Sequence, residues 1–337
     1  MSIDRFGRTT DYLRISVTER CNFRCVYCMP PEGIKLKPHD QMMTFEEIER
    51  LVHVATALGF SHIRLTGGEP LVRLGIDNLV ESLAHMDGVD AVAMTTNGSL
   101  LAPQAASLAS KGLSRVNISI DSLDPEQFKQ ITRRDSLEDT LAGIDAALEA
   151  GLNPVKINCV VVRQLHQDIL RFAQMSIDRP LHVRFIEYMP VGHPAGIEEH
   201  GWTADDSVPS AELLETINRL AASQGLPALE PVAPDDGHAP LTWGPARTYR
   251  FPGAQGTVGF ISALSQHFCG NCNRLRVTAD GKIRPCLFSD REYDVLTALR
   301  GGTDDDVRAA FETALANKPD AHHWRVGTYR SMAQIGG

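Results

Sequence analysis

Residues 13–28 read LRISVTERCNFRCVYC, and this stretch decides the fold. Its first part alternates apolar and polar side chains, which predicts a strand over Leu13–Thr18. Three cysteines follow at once with the spacing C-x3-C-x2-C, at Cys21, Cys25 and Cys28. Cysteine thiolates are the usual ligands of iron–sulfur clusters. Three of them would hold three irons of a four-iron cluster and leave the fourth open to an outside ligand. Zinc is the alternative metal, but structural zinc prefers four protein ligands.

Strand and helix patterns alternate from this point through the first half of the chain. Predicted strands are Leu13–Thr18, His62–Thr66, Ala91–Thr96, Arg115–Ile120, Val155–Val162 and His182–Tyr188. Predicted helices between them are Thr44–Gly59, Gly75–Met86, Pro103–Gly112, Ser136–Gly151 and His166–Ser176. This alternation indicates βαβ units and a parallel sheet.

The predicted strands are polar on one face, unlike strands that helices cover on both sides. Side chains two positions apart share a face. The polar set comprises Arg14, Ser16, Thr18, Arg64, Thr66, Asn117, Ser119, Asp121, Lys156, Asn158, Arg184 and Tyr188. Helices can cover only the apolar face, so the polar face must line a wet or ligand-filled interior. We therefore predict an α/β fold with a partial (β/α)6 barrel. Edge positions would explain one or two polar strands, but not four.

The pattern weakens after Met189, and the rest of the chain mixes short elements. A helix is predicted at Ala211–Gln224, and a connection rich in proline and glycine follows at 225–245. Later strands are predicted at Arg247–Phe251, Thr257–Ile261, Leu275–Thr278 and Lys282–Pro285, and helices at Val295–Arg300 and Asp304–Asn317. We predict a barrel domain over residues 1–245, with 190–245 a poorly defined connection. Residues 246–337 then form an α+β extension that carries a second cluster and closes the barrel mouth.

Composition narrows the function classes. The 337 residues carry a formal net charge of −9, which argues against a nucleic-acid or membrane-surface binder. No apolar run of about 18 residues indicates a membrane span, and the first residues lack the apolar core of a signal peptide. We expect a cytoplasmic protein without disulfides. Cys159 stands alone in an apolar run and is predicted to be a core residue.

A second set of three cysteines lies near the C-terminus, at Cys269, Cys272 and Cys286. A Cys3His zinc site is an alternative here, because His267 lies two residues before the first of them. Arg274 and Arg276 follow on one side of a short predicted strand. Two guanidiniums beside a metal site indicate a bound anion, such as a phosphate.

The first cysteine pattern, with Tyr27 directly before its last cysteine, resembles the signature of the radical S-adenosylmethionine (SAM) superfamily. Gly67-Gly68-Glu69-Pro70 resembles the GGEP motif of the same superfamily, which contacts the SAM amino group. The resemblance implies a (β/α) barrel and an open iron chelated by SAM. It also implies one-electron cleavage of SAM to a 5′-deoxyadenosyl radical that abstracts hydrogen from a substrate.

The second cysteine motif narrows the resemblance from the superfamily to one of its families. The run Cys272-Asn273-Arg274-Leu275-Arg276, the cysteine that follows it and the terminal Gly336-Gly337 are similar to the molybdenum cofactor biosynthesis protein A family, the GTP 3′,8-cyclases. This implies a lyase with two [4Fe–4S] clusters, the second binding the guanine of GTP. In such an enzyme hydrogen is removed from ribose C3′, the carbon radical attacks C8, and a further electron and proton give 3′,8-cyclo-GTP. The Gly336-Gly337 tail is implied to reach into the active site.

The resemblance assigns roles to individual residues. Cys21, Cys25 and Cys28 hold the first cluster, and Cys269, Cys272 and Cys286 hold the second. Tyr27, Gly68, Ser119 and Met189 match SAM contacts, whereas Arg14, Arg64, Thr95, Lys156, Arg274, Leu275 and Arg276 match GTP contacts, with Arg184 facing the same cavity. The first three cysteines, Arg274 and Arg276 are the implied catalytic residues. Implied partners are a flavodoxin-type reductant, cyclic pyranopterin monophosphate synthase downstream, and a second copy in a homodimer.

Two other functions stay open at this point. Another radical SAM enzyme with an auxiliary cluster, such as a peptide maturase, shares the first motif but has no need of the paired arginines. A non-enzymatic electron carrier or zinc-stabilised binding protein belongs to a different class. That class does not explain why each of the two sites has three cysteines, where a structural zinc site or an electron-carrying cluster has four protein ligands.

Overall fold

The computed structural model describes residues 2–192, 202–232, 244–322 and 328–336. Its strands are β1 Tyr12–Ser16, β2 His62–Thr66, β3 Ala91–Thr96, β4 Leu113–Ser119, β5 Val155–Val161, β6 Leu181–Glu187, β7 Glu230–Pro231, β8 Arg247–Arg250, β9 Thr257–Ile261, β10 Arg274–Val277, β11 Lys282–Arg284 and β12 Tyr293–Asp294. Its helices are α1 Phe45–Ala57, α2 Ile76–Ala84, α3 Ala105–Ser110, α4 Pro125–Thr132, α5 Leu137–Glu149, α6 Ile169–Gln174, α7 Ser210–Ser223, α8 Leu296–Gly301, α9 Asp304–Ala316 and α10 Met332–Ile335. None of the helices in these ranges is long and apolar enough to cross a membrane.

All described strands belong to one sheet, ordered β12-β11-β10-β1-β2-β3-β4-β5-β6-β9-β8-β7. The strands from β10 through β1–β6 to β9 are parallel, and antiparallel strands continue the sheet at each end. The first and last strands of this order do not pair, so the sheet stays open. The predicted α/β fold with a partial barrel is confirmed.

The apolar strand faces form the core, as the alternation predicted. Leu13 and Ile15 of β1 are fully buried with Ile48 and Leu51 of α1 in one apolar cluster. Cys159 is also fully buried there, as predicted. Helices therefore cover this face of the sheet, and the polar face is left to line the interior.

The sequence patterns did not indicate several elements, among them the short β7, which lies in the predicted connection 225–245, and also β12 and α10. Two further differences concern the barrel. A helix, α4, precedes α5 between β4 and β5, where only one helix was predicted. Asp124 caps it by accepting from the backbone N–H of Gln127, and Pro125 occupies its first turn. The C-terminal strands also join the barrel sheet itself, because β10 pairs with β1 and β9 pairs with β6.

Candidate active site

The first cysteine loop rests on the GGEP turn. The backbone N–H of Gly68 donates to Thr18 O at 2.8 Å, and that of Glu69 donates to Arg20 O at 2.8 Å. A Cβ on Gly68 would lie 2.4 Å from Arg20 O. Glycine is therefore required for two backbone segments to approach this closely. The turn fixes the residues that lead into Cys21.

The three thiols of this loop lie together in a buried environment. Burial, followed by the neighbouring thiols, raises the pKa of Cys25 well above its usual range, and the same causes raise the pKa of Cys28 to about 12. Cys21 Sγ accepts from the backbone N–H of Phe23 at 3.3 Å. Mutual proximity and N–H donors to sulfur fit thiolates that share a metal cluster.

Glu69 is part of the framework of this loop. It is fully buried, and burial raises its pKa to about 7. Its carboxylate accepts from the N–H of Leu71 at 3.0 Å, the N–H of Asn97 at 2.7 Å and the hydroxyl of Thr96 at 2.7 Å. These bonds join the GGEP turn to the end of β3.

Three of the predicted SAM contacts, Tyr27, Gly68 and Ser119, lie in or next to segments that contact this loop, whereas Met189 packs near the second cysteine site. Tyr27 donates its hydroxyl to Asp121 at 2.5 Å, just beyond the end of β4, where Ser119 is the last strand residue. Gly68 lies on the opposite side, in the turn after β2. Met189 packs with an apolar cluster that includes Ile335 and the partly buried Cys286. The alternation of the strand predicted Asp121 on the polar face, but it did not indicate that Asp121 accepts a hydrogen bond from Tyr27.

Cations line the polar face of the sheet in register. Arg14 on β1 is paired with Arg64 on β2 and with Arg276 on β10. Further along the sheet Lys156 is paired with Asn117, and Arg184 with Asn158. The β10–β1 pairing thus brings the arginine pair of the second cysteine motif beside the arginines of the barrel.

These cations repel one another in a buried space. Burial, together with Arg184 and other arginines, lowers the pKa of Lys156 to about 6. Burial and neighbouring arginines likewise lower the pKa of Arg184 to about 9 and of Arg276 to about 10. Within the described residues, neither Arg64 nor these three cations has a carboxylate partner. The site therefore favours a polyanion, which would relieve both burial and repulsion.

Hydrogen bonds hold several of these side chains in place. Arg64 donates from Nη1 to Thr95 Oγ1 at 3.2 Å and from Nε to the hydroxyl of Tyr12. Arg184 donates from Nη2 to Asn158 Oδ1 at 2.5 Å, and its buried Nε makes no hydrogen bond in the described part of the chain. Asn117 Oδ1 is also buried and accepts no hydrogen bond from the described residues. Such buried polar atoms point to a ligand in the lumen.

Sequence reasoning missed two further lumen residues, Tyr12 and Arg115. Both are buried on the polar face, two positions from Arg14 and Asn117 respectively. The two-residue alternation was the signal that could have found them.

The second set of cysteines lies where β10 begins and β11 ends. Cys269 opens a 3-10 turn that Cys272 closes, and Cys286 follows β11. The thiol of Cys286 raises the pKa of Cys269, after burial, so the thiols are neighbours. The backbone N–H groups of His322, Arg274 and Phe288 oppose the effect of burial and act to lower the pKa values of Cys269, Cys272 and Cys286 respectively.

Among the described residues, no three His, Cys, Asp or Glu side chains converge on a point that could hold one metal ion. His267, the candidate fourth zinc ligand, packs against the ring of His322 at 5.3 Å.

Arg274 and Leu275 extend from the second site into the sheet. The guanidinium of Arg274 lies over the ring of Phe268, 5.1 Å from its centroid. Leu275 is fully buried and paired with Leu13 of β1. The strand therefore presents its arginines on the lumen face and anchors its leucine in the core.

The C-terminal tail lies in the same lumen. Gly336 O accepts from Nη1 of Arg276 at 2.9 Å, and a Cβ on Gly336 would lie 2.9 Å from Thr66. The backbone N–H of Ala333 is close enough to the thiol of Cys28 to oppose the rise in its pKa that burial causes. Arg330 anchors the tail through both oxygens of Asp280, at 2.8 and 3.0 Å. Gly337, the second predicted glycine of the tail, lies outside the described residues.

Comparison with known proteins agrees with this arrangement. The Radical SAM superfamily model matches residues 15–175, and the Molybdenum Cofactor Synthesis C model matches residues 181–324. The solved structure of Streptococcus suis SuiB bound to S-adenosylmethionine is similar with a TM-score of 0.57 and 15% identity, over 88% of this chain and 65% of that one. At this identity the likeness shows the fold alone.

Full-length relatives are much more similar. The GTP 3′,8-cyclase of Pelotomaculum thermopropionicum is 46% identical over 340 residues, which cover 99% of both chains. The GTP 3′,8-cyclase of Moorella thermoacetica is 45% identical over 338 residues, again 99% of both. With both family models in the expected order along the chain, this protein belongs to the GTP 3′,8-cyclase family of the radical SAM superfamily.

Proposed function

We propose that this chain converts GTP to 3′,8-cyclo-GTP, the first step of molybdenum cofactor biosynthesis, with SAM and two [4Fe–4S] clusters as cofactors. One observation carries the proposal: Arg276, Arg14 and Arg64 form an in-register row across β10, β1 and β2. This row joins the second cysteine site to the lumen of the barrel. A triphosphate suits it, because several buried cations then gain a counter-charge.

The chain's own residues bind and orient the substrate. Arg14, Arg64, Thr95 and Lys156 would contact GTP from the barrel strands, with Arg184 in the same lumen. Arg274, Leu275 and Arg276 would contact it beside the second cluster. The two ends of the nucleotide would thus be held by different parts of the sheet, and such positioning of reacting atoms lowers the barrier.

Cys21, Cys25 and Cys28 would hold the first cluster, and Tyr27, Gly68, Ser119 and Met189 would contact SAM. When bound, the cluster and SAM supply the 5′-deoxyadenosyl radical. The hydrogen bond from Tyr27 to Asp121 supports this assignment, since it fixes the ring beside Cys28. The tail, through Ala333 and Gly336, would exclude water from the same space.

Cys269, Cys272 and Cys286 would hold the second cluster. Support comes from the proximity of the three thiols and from the backbone N–H groups near them, both of which affect the pKa values of these cysteines. We also propose the domain division predicted above, with the barrel in residues 1–245 and the extension in 246–337. A flavodoxin-type reductant, a cyclic pyranopterin monophosphate synthase and a homodimer complete the proposal.

The test begins with anaerobic purification and reconstitution with iron and sulfide. Iron is measured in the wild type and in the Cys269→Ser/Cys272→Ser/Cys286→Ser variant. We expect about eight irons in the wild type and about four in the variant. Each protein is then incubated with SAM, dithionite and GTP, and only the wild type should form 3′,8-cyclo-GTP. A variant that keeps all its iron, or loses zinc in its place, would contradict the second cluster.

A parallel assay separates the cyclase from a peptide-modifying enzyme. Limited proteolysis of the reconstituted protein is followed with GTP and with cysteine-containing peptides. GTP alone should protect the protein, because the cations of the lumen face a polyanion. Protection by peptides and not by GTP would favour the maturase class.

A further inference from the structure

Lys318 is a buried lysine beside the second cysteine site that no motif of the sequence indicated. It follows α9, and only 2% of the residue is exposed. Its ammonium donates to Cys272 Sγ at 3.6 Å, to Arg274 O at 2.5 Å and to Pro285 O at 3.2 Å. All three N–H groups of the ammonium are therefore used.

The partners of Lys318 connect both parts of the second site. Cys272 and Arg274 stand at the start of β10, whereas Pro285 lies directly before Cys286 at the end of β11. The side chain of Lys318 thus connects the start of β10, next to Cys272, with the end of β11, next to Cys286. Arg8 also contacts this region and donates hydrogen bonds to Cys269 O at 2.7 Å and to Pro319 O at 2.6 Å.

The charge of Lys318 has no carboxylate to balance it within the described part of the chain. A buried ammonium is costly unless it is paired. The thiol of Cys272, whose sulfur lies 3.6 Å from Nζ, is a group among the described residues that can carry the balancing negative charge. The contacts of Lys318 therefore link its charge to the second cysteine site.

We propose that Lys318 is a positioning residue that orients Cys272 and raises the reduction potential of the second cluster through its N–H···S bond. The inference rests on the proposed second cluster. Hydrogen bonds to the sulfurs and nearby charge set the potentials of iron–sulfur clusters. Reduction adds negative charge, so a fixed ammonium favours the reduced form. Loss of the ammonium then shifts the midpoint potential to a more negative value.

The experiment isolates the second cluster in the full-length Cys21→Ser/Cys25→Ser/Cys28→Ser background, which removes the ligands of the first. Lys318→Met and Lys318→Arg are introduced there and reconstituted with iron and sulfide. Lys282→Met is the matched control, because Lys282 lies on β11 and pairs with Asp294 at 3.2 Å, away from the sulfurs. Iron content and an EPR-monitored redox titration are measured for each protein.

We expect Lys318→Met to shift the midpoint potential to a more negative value, Lys318→Arg to shift it less, and Lys282→Met to leave it unchanged. A circular dichroism spectrum checks the fold, and Lys318→Gln, which keeps an N–H donor without the charge, replaces Lys318→Met if that variant unfolds. Four irons with an unchanged potential in Lys318→Met would overturn this inference alone. A background protein without an iron–sulfur cluster would overturn the second cluster itself, and this inference with it.

Discussion

Lys156 is the residue of the lumen whose protonation depends most on an anion. Burial and neighbouring arginines lower its pKa to about 6, so in the free protein it is mostly neutral near pH 8. The unfolded chain has the ordinary lysine pKa and binds more protons above pH 6. The contribution of Lys156 to the free energy of unfolding therefore rises with pH, from about pH 6 up to the ordinary lysine pKa.

Binding of GTP should reverse this neutralisation. A triphosphate near Lys156 favours the ammonium, so binding near pH 8 should take up about one proton at this residue. Isothermal titration calorimetry in buffers of different ionisation enthalpy measures the uptake. Lys156→Met should take up about one proton less than the wild type. Equal uptake in both proteins would show that Lys156 does not meet the anion.

Single residues were predictable where they repeat a pattern. Arg14, Arg64, Lys156 and Arg184 follow from alternation along the strands, because the period of a strand sets the face. Lys318 belongs to no repeating pattern of the sequence. It reaches Cys272 only because the folded chain brings the end of α9 beside the second cysteine site. Nor could the sequence indicate that Glu69 is bound by three donors of its own chain.

At the scale of elements, the GGEP turn supports the first cysteine loop by backbone contact. Gly68→Ala places a Cβ against Arg20 O and must displace the segment before Cys21. We expect a cost of about 1–3 kcal/mol in the free energy of unfolding, as for other overpacked sites. Iron bound at the first site should fall as well. Thermal unfolding and iron analysis measure both effects.

Gly270→Ala is the control for this substitution. Gly270 lies in the second cysteine motif, and a Cβ there would meet no atom within 4 Å. Its unfolding temperature should stay close to that of the wild type. Equal losses in the two variants would mean that close approach of the backbone is not what Gly68 provides.

The tail is a second element with a defined anchor. Arg330 pairs with Asp280 and with Glu292, and Lys37 from the loop after Cys28 contacts the same Asp280. Burial opposes the shift, but Arg330 and Lys37 lower the pKa of Asp280 below its usual range. The anchor thus ties the tail to the loop that follows the first cysteines.

Arg330→Met should release the tail. Breaking a largely buried ion pair costs about 3–5 kcal/mol, and 1.4 kcal/mol corresponds to tenfold. A carboxypeptidase should therefore trim the variant at least about tenfold faster than the wild type. Mass spectrometry follows the trimming, with the exposed Arg291→Met as control. If the variant is trimmed at the wild-type rate, contacts other than those of Arg330 hold the tail in place.

Elements were predicted best where their signals are local. Predicted strand bounds lie within two residues of the observed ones, because alternation and flanking turns are read from neighbouring residues. Helix α4 was missed because its buried Phe128 and Ile131 give only a short apolar stripe over eight residues. The placement of β10 beside β1 depends on residues far apart in the chain, which no local pattern encodes.

At the scale of the molecule, one sheet joins the two halves of the chain. Leu275 of β10 is paired with Leu13, and Ile118 of β4 lies in the same apolar cluster. We expect the two halves to unfold as one cooperative unit. Native-state hydrogen exchange should give the amides of Ile118 and Leu275 similar opening free energies, within about 1 kcal/mol. A markedly lower value for Leu275 would indicate that the extension unfolds independently.

The place of β1 between β2 and β10 has a consequence for biosynthesis on the ribosome. Arg274 is synthesised about 260 residues after Tyr12, its partner in the sheet. At 5–20 residues per second, β1 waits roughly 13–50 seconds with one edge unpaired. An unpaired strand edge invites association with other chains, and the first three cysteines are close to it. The edge of β1 that β10 covers therefore stays open until the last quarter of the polypeptide is synthesised.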